Sequence, residues 1–278
     1  LFAGTLVFVT YRGQADVARP TADPDGIHFE EVAREIGVVF THARPRVDEL
    51  VAHVEPQVAA TGAAVSLADV NGDGWPDLYA VTSRHGESNG LFVNRGDGTF
   101  EDRATEAGLA DLNRDGVGVC MGSIWADVDG NGLEDVFVYK WGHSQLFLNR
   151  GDLRFEDVTE AAGLDRWVNS NCATWIDYDR DGRIDLFLAG YYDEAFDLTN
   201  LKTTEIFHDS LEFAQNGGRN YLFRNLGDGR FEDVSDAAGL TNRRWTYAAV
   251  AADFDRDGWP DLYLANDYGS EELWRNQK

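Results

Sequence analysis

Short apolar segments alternate with acidic, glycine-containing turns along most of this chain. One pattern reads SLADVNGDGWPDLYAV, IWADVDGNGLEDVFVY, TWIDYDRDGRIDLFLA and VAADFDRDGWPDLYLA, in copies that begin at residues 66, 124, 174 and 250. Each copy places small and apolar residues before an Asp-rich loop and an apolar run after it. Apolar runs of this length, bounded by turn residues, predict two short β-strands joined by the loop.

A second segment alternates with the first and predicts two more strands. It reads LFVNRGDGTFEDRATEAGL, LFLNRGDLRFEDVTEAAGL and LFRNLGDGRFEDVSDAAGL from residues 91, 146 and 222, and a half copy, LWRN, begins at residue 273. Gly and Asp in its centre supply the positive φ angles of a tight hairpin turn. In the first unit, strands are therefore predicted at residues 63–68, 77–82, 91–94 and 99–102.

The repeat period indicates how these units assemble. The first Asp of each loop lies at residue 69, 127, 177 or 253, so the intervals are 58, 50 and 76 residues. Antiparallel four-stranded units at about this period are typical of the blades of a β-propeller, whereas a β-solenoid has a shorter period. The longest interval contains an insertion at about 190–219, between the second and third strands of its unit. It either binds a partner, as long loops on rigid scaffolds do, or extends its blade.

The ends of the repeat region leave two architectures open. The last unit stops after its third strand, at residues 273–276, and residues 29–32 (Phe-Glu-Glu-Val) match the fourth strand of the other units. In a partial arc of a larger propeller, residues 29–32 complete a blade that this sequence lacks. In a closed four-bladed ring, they pair with residues 273–276. The break in mid-repeat favours the arc.

Charge and composition narrow the classes of function. The chain has 49 acidic and 24 basic residues, a formal net charge of −25, and 43% hydrophobic residues, which suffice for a packed core. Nucleic-acid binding is disfavoured, because phosphates are neutralised by Lys and Arg. The acids cluster in the loops, which favours a role as ligands of divalent cations.

Residues 1–25 differ from the repeat region at 26–278. Residues 1–10 form an apolar run that is too short to span a bilayer. We interpret residues 1–25 as the remnant of a signal peptide or N-terminal anchor plus a linker, or else as a first buried strand. Either targeting role predicts an extracytoplasmic protein, which is periplasmic, at the cell surface or secreted. Cys120 and Cys172 are expected as two buried free thiols or as one bridge between neighbouring blades.

The Asp-rich loops have the pattern D-x-[DN]-x-[DN]-G-x-x-D, which predicts calcium sites. Side chains at positions one, three, five and nine and the carbonyl at position seven offer only oxygen, and Gly at position six permits a sharp curl. Hard oxygen ligands favour Ca²⁺ over zinc, copper or iron, and Mg²⁺ demands a stricter geometry. About four ions are expected. The predicted ligands are Asp69, Asn71, Asp73, Trp75 and Asp77 in loop 1; Asp127, Asp129, Asn131, Leu133 and Asp135 in loop 2; Asp177, Asp179, Asp181, Arg183 and Asp185 in loop 3; and Asp253, Asp255, Asp257, Trp259 and Asp261 in loop 4.

Two similar patterns are distinguished from these loops. An EF-hand requires Glu at position twelve and flanking helices, but position twelve here is Ala80, Val138, Leu188 or Leu264 between predicted strands. Residues 111–116 copy the first six positions of the loop and then have Val119 at position nine. They are predicted to form a turn, with a weak additional site as the alternative.

The combination of these loops with the LFxNxGDGxFEDV hairpins resembles FG-GAP or VCBS repeats, as in the propeller of integrin α subunits. The longer pattern, from HFEEVAREIG through ADVNGDGWPDLY to LFVNRGDGTFEDRATEAGL, most resembles bacterial relatives of cartilage acidic protein, the ASPIC/UnbV-type proteins. The resemblance covers about residues 26–276 apart from the insertion. It implies an all-β propeller of four-stranded blades, seven in the whole molecule, with calcium in its loops.

Three functions are compatible with such a scaffold. The leading one is extracytoplasmic binding or adhesion, with a protein or glycan at the cell surface as the partner and with membrane contact only through an N-terminal anchor. A carbohydrate-binding propeller requires exposed aromatic platforms, for which Trp75 and Trp259 are candidates. An enzyme with its site in the central channel is the third, although no nucleophile elbow, phosphate-binding loop or zinc motif is present. No catalytic residue is predicted.

Overall fold

The computed structural model describes residue 26 and residues 28–278, and the predicted signal or anchor segment at 1–25 lies outside them. Contacts divide the chain into Leu1–Val32 and Ala33–Lys278. The second unit is all-β apart from three short helices. These are a 3-10 helix at Glu49–Val54, α1 at Glu55–Val58 and α2 at Ala104–Ala107. Within the described residues, no helix has the length and apolar character needed to cross a membrane.

Sixteen described strands form four antiparallel sheets. Their orders are β1-β2-β3-β4, β5-β6-β7-β8, β10-β11-β12-β13 and β14-β15-β16, and β9 pairs with β6 at the margin of the second sheet. The strands are β1 Ala64–Ala68, β2 Asp77–Val81, β3 Gly90–Asn94, β4 Phe100–Asp102, β5 Gly118–Ala126, β6 Asp135–His143, β7 Gln145–Asn149, β8 Phe155–Asp157, β9 Trp167–Asn169, β10 Cys172–Ile176, β11 Asp185–Ala189, β12 Tyr221–Gly227, β13 Arg230–Asp233, β14 Thr246–Ala252, β15 Asp261–Asn266 and β16 Glu272–Trp274. The prediction of an all-β chain with antiparallel sheets built from the repeats is confirmed.

The register of the first two strands fixes each Asp-rich loop. Ala68 pairs with Asp77 at the end of the β1–β2 hairpin. The same pairing recurs as Ala126–Asp135, Ile176–Asp185 and Ala252–Asp261. All four loops are therefore closed at the same point, directly before position one and at position nine.

The sheets pack against one another in chain order. Their first strands lie side by side in the order β1, β5, β10, β14. Three apolar clusters join successive sheets, as where Tyr79 and Leu91 meet Val136 and Phe147. Phe137 belongs to the cluster between the second and third sheets. Burial of these faces is the main stabilising contribution that the sheets offer each other.

The two outer members of this row carry exposed apolar residues. Val65 and Leu67 on β1 are 66% and 63% exposed, and Val250 on β14 is 50% exposed. By contrast, Val136 and Val138 on β6, in the second sheet, are fully buried. Apolar residues are thus uncovered on the first strands of the first and fourth sheets.

Residues 29–32, expected as a fourth strand, belong to none of the sheets in the described part of the chain, and Phe29 is fully exposed. A strand forms where a neighbouring strand completes its backbone hydrogen bonds, and the local Phe-Glu-Glu-Val pattern alone does not supply one. The turn that follows is placed as in the repeats. Ile36 O accepts from Phe100 N at 2.7 Å, just as Ala162 O accepts from Phe231 N at 2.9 Å.

Residues between β11 and β12, where the insertion was predicted, pack a core of their own. Tyr191, Tyr192 and Leu198 are buried there together with Trp141 of β6 and with Trp245, which directly precedes β14. The outer surface of this segment exposes Phe207, Leu211 and Phe213. Cys120 and Cys172 are both free thiols, so the alternative of a bridge between blades is not formed.

Candidate metal centres

Each Asp-rich loop curls around its first Asp. In loop 1, Gly74 at position six has a φ of +88° and donates its N–H to Asp69 Oδ2 at 2.8 Å. The same bond in the other loops measures 2.8, 3.2 and 2.9 Å, with φ angles of +86°, +85° and +91° at the glycine. This left-handed conformation is strained for residues with a Cβ. Gly at position six thus places position one at the centre of the loop.

The side chain at position five closes the second half of the curl. Its oxygen accepts from the backbone N–H of position seven in all four loops, at 2.7–3.0 Å. These bonds orient the predicted position-seven residues. The acceptor and donor pairs are Asp73 and Trp75, Asn131 and Leu133, Asp181 and Arg183, and Asp257 and Trp259.

The closing Asp at position nine is buried and doubly hydrogen-bonded. Asp185 Oδ1 accepts from Asn225 N at 2.7 Å, and its Oδ2 accepts from Tyr178 N at 3.1 Å. Asp77, Asp135 and Asp261 make the equivalent two bonds. These backbone donors hold the carboxylate of position nine against the loop.

Burial raises the pKa of these closing carboxyl groups against the effect of their hydrogen bonds. The pKa rises to about 6 for Asp135 and to about 7 for Asp185, and the pKa of Asp77 is also raised. Nearby carboxylates at positions one, three or five add to the increase. A divalent cation reverses this balance, because it favours the ionised form.

The structure brings carboxylates together in three of the four loops. One oxygen from each of positions one, three and nine lies within 4.8 Å of the others. The three groups are Asp127, Asp129 and Asp135; Asp177, Asp179 and Asp185; and Asp253, Asp255 and Asp261. In loop 1, Asn71 Nδ2 donates to Asp73 Oδ2 at 2.9 Å, so these two side chains are engaged with each other.

The donor set fits a hard cation. It consists of carboxylate, amide and carbonyl oxygens, which are the ligands of Ca²⁺. Asp177 Oδ1 is buried in loop 3 and has no hydrogen-bond partner among the described residues. A buried polar atom is normally satisfied, and a cation bound by the loop would satisfy this one.

An Asn in the third strand of each unit, or just after it in the fourth unit, was not recognised as part of the site from sequence. Asn225 Nδ2 donates to Ile184 O at 3.0 Å within its own unit and to Val128 O in loop 2 at 2.9 Å. Asn149 reaches Val70 O in loop 1 at 2.9 Å, and Asn276 reaches Tyr178 O in loop 3 at 2.8 Å. Each of these bonds links a loop to the next unit. The presence of the same Asn in every LFxN segment could have identified this residue from sequence.

The near-repeat at 111–116 is a turn. Asn113 is buried, its Oδ1 accepts from Cys120 N at 2.8 Å, and its Nδ2 donates to Glu87 O at 2.9 Å. Asp111 pairs with Arg114 and Asp115 with His85. The side chains that would correspond to positions one, three and five are therefore committed to other contacts.

A chain whose antiparallel sheets each carry an Asp-rich loop between their first two strands is a repeat protein with acidic loops. The model of the FG-GAP-like repeat matches residues 69–138, 127–188 and 212–264, which together span more than half of the chain. The chain belongs to this family.

Two relatives match about three quarters of this chain. Cartilage acidic protein 1 of Homo sapiens is 29% identical over 213 residues, which is 74% of this chain and 28% of the relative. The Mus musculus protein is 27% identical, over 74% of this chain and 29% of the relative. The chain thus spans less than a third of the length of these relatives.

Two solved structures show a weaker likeness. One is an Agrocybe aegerita lectin that recognises non-reducing terminal N-acetylglucosamine, with 18% identity and a TM-score of 0.39 over 77% of this chain and 52% of the lectin. The other is the V. cholerae biofilm matrix protein Bap1, with 13% identity and a TM-score of 0.37 over 77% of this chain and 31% of that protein. TM-scores below 0.5 establish neither a shared fold nor a shared ligand.

Proposed function

We propose that this protein binds about four Ca²⁺ ions in its Asp-rich loops and acts as a binding or adhesion scaffold outside the cytoplasm. The observation that carries the proposal is the fourfold loop, with carboxylates that converge within 4.8 Å in three copies. Fourteen of the sixteen side chains at positions one, three, five and nine are Asp, and without a cation the carboxylates within each loop would repel one another. Extracytoplasmic calcium concentrations suit loops of moderate affinity, with dissociation constants of about 10⁻⁴ to 10⁻³ M.

The proposed architecture is an arc of a β-propeller. Supporting it are the side-by-side first strands and the apolar clusters between successive sheets. Further blades would cover the apolar residues exposed on β1 and β14, such as Val65 and Val250. The calcium sites would then be structural and would fix the hairpins at one end of each blade.

A protein or glycan at the cell surface is the proposed partner. The segment between β11 and β12 offers a surface for it, because Leu211 and Phe213 are exposed on a packed base. Isolated large apolar residues are common on surfaces, but several on one segment are typical of interaction sites.

Calorimetric titration of the chelator-treated protein with CaCl₂ tests the calcium proposal. We expect a stoichiometry near four and, for Asp181→Ala, the loss of one site, because Asp181 both ligates and orders loop 3. Asp115→Ala is the matched control, since it removes an exposed Asp from the near-repeat turn and is expected to leave the stoichiometry unchanged. A wild-type stoichiometry of zero or one would refute the proposal.

A further inference from the structure

An arginine accompanies each Asp at position three of the loops. Asp129 pairs with Arg150 at 3.0 Å, Asp179 with Arg224 at 2.8 Å, and Asp255 with Arg275 at 2.5 Å. In all three cases the arginine comes from the third strand of the same unit or from the turn directly after it. Each contact therefore joins the loop to the third strand of its unit or to the residues directly after that strand.

The ion pair recurs in three units, although the arginine does not occupy the same position of the repeat in all of them. Arg224 and Arg275 stand directly before the Asn of LFxN, whereas the same place in the second unit is Leu148. There the arginine is Arg150, directly after the Asn, where the third and fourth units have Leu226 and Gln277. Arginines at two different positions of the repeat thus contact the equivalent carboxylate, that of position three.

Loop 1 is the contrasting case. Its position three is Asn71, and Val93 stands where the third and fourth units have arginine. Arg95 matches Arg150 in sequence, but it pairs with Glu101 at 3.1 Å. Within the described residues, no ion pair joins a basic side chain to Asp69, Asp73 or Asp77. The arginine contact is present where position three is charged and absent where it is neutral.

We infer that Arg150, Arg224 and Arg275 are resident counter-cations of the position-three carboxylates, which stabilise the metal-free loops and lower their affinity for Ca²⁺. The inference rests on the proposed calcium binding and concerns how that binding is tuned. Loops 3 and 4 each have four Asp residues, which repel one another without a metal. A guanidinium next to them reduces this repulsion. The same positive charge opposes an incoming divalent cation.

The expected effect follows from the position of the arginine. Arg275 is partly exposed, so water screens its interaction with the loop. For a unit charge and a divalent cation several ångströms apart in such an environment, neutralising the arginine is expected to raise calcium affinity about fivefold or more. The metal-free protein should become less stable at the same time, because Asp255 loses its counter-charge.

Loop 4 can be followed separately from loops 2 and 3, because its position seven is Trp259. Tb³⁺ binds calcium loops, and an adjacent Trp excites its luminescence. We would titrate the protein with TbCl₃, displace the ion with CaCl₂, and assign to loop 4 the luminescence that Trp259→Phe removes. Arg275→Gln is expected to require about fivefold less Ca²⁺ for displacement. Arg275→Lys keeps the charge and is the matched control, with displacement as in the wild type.

Loop 1 provides the reciprocal experiment through Trp75. Val93→Arg introduces the missing cation, so loop 1 should require about fivefold more Ca²⁺. Arg95→Val removes a cation whose one ion pair among the described residues is with Glu101, and it is expected to change the affinity of loop 1 by less than twofold.

The outcomes separate this inference from the calcium proposal. Unchanged or weaker calcium binding by Arg275→Gln, in a protein whose wild type binds calcium, would overturn the counter-cation role alone. A wild type without calcium binding in either the calorimetric or the luminescence titration would overturn both. A lower melting temperature of Arg275→Gln in chelator, together with tighter calcium binding, would support the inference.

Discussion

The bonds that Asn225 makes between units predict that its side chain contributes more to stability than that of Asn94. Asn225 is fully buried, and its side chain makes three hydrogen bonds. Nδ2 donates to Val128 O at 2.9 Å and to Ile184 O at 3.0 Å, and Oδ1 accepts from Gly227 N at 2.8 Å. Asn225→Ala leaves these groups unpaired but keeps the backbone N–H that donates to Asp185.

The magnitude follows from how many of those groups remain buried. A buried polar group left without a partner costs about 1–3 kcal/mol. Val128 is buried, whereas Ile184 and Gly227 are partly exposed and are solvated more easily. We therefore expect Asn225→Ala to lower the free energy of unfolding by about 3–4 kcal/mol.

Asn94→Ala is the matched control because Asn94 has the same local bonds and, among the residues that the structure describes, no hydrogen bond from its side chain to another unit. Its Nδ2 donates to Pro76 O at 3.2 Å, and its Oδ1 accepts from Gly96 N at 3.0 Å, both at exposed positions. A loss of about 1 kcal/mol is expected there. Urea denaturation in CaCl₂, followed by tryptophan fluorescence, measures both. Equal losses for the two variants would show that the bond between units contributes nothing and would refute the reasoning.

Two further predictions concern charge and backbone conformation. In chelator, the free energy of unfolding should fall as pH rises from about 4 to about 7. Burial raises the pKa of Asp185 from 3.8 to about 7, so the folded state holds this proton more tightly than the unfolded state does. Urea denaturation at pH 5 and pH 8 measures this, with a weaker pH dependence expected for Asp185→Asn, and an equal slope for both proteins would contradict the assignment. Gly118→Ala should destabilise by more than about 3 kcal/mol, since its φ is +106° and a Cβ would lie 2.0 Å from Trp141 O. Gly98→Ala, with a φ of +88° and no heavy atom within 4 Å of a Cβ, should cost only about 1 kcal/mol in the same thermal denaturation, and similar losses would argue against the steric cause.

The elements that the sequence predicts well are those specified by neighbouring residues. The strands expected at 77–82 and 91–94 form as Asp77–Val81 and Gly90–Asn94, because alternating apolar runs and turn residues act over a few positions. The Asp-rich loops are specified in the same way. Their curl depends on Gly at position six and on hydrogen bonds within nine residues, all of which can be read from one copy of the repeat.

Two features required information that the local pattern does not contain. Residues 29–32 have the composition of the fourth strand, but a strand depends on the edge that is offered to it. β9 pairs with β6 through Trp141 and Asn169, where β6 extends beyond the repeat and offers an edge. In both cases, a segment's pairing depends on another part of the chain rather than on its own residues.

The interactions between units show why the site was only partly predictable. Asn225 and Val128 are 97 residues apart, and the bond between them exists only because the second and third sheets pack in register. The arginines that pair with position three lie in the same unit as their loop, but one copy of the repeat does not predict them either, since Arg150 and Arg224 reach equivalent carboxylates from different places in the repeat. A fourfold repeat nevertheless contains a usable signal. The Asn of LFxN is identical in every copy, and such a recurring polar residue is a candidate for a contact that recurs between neighbouring units.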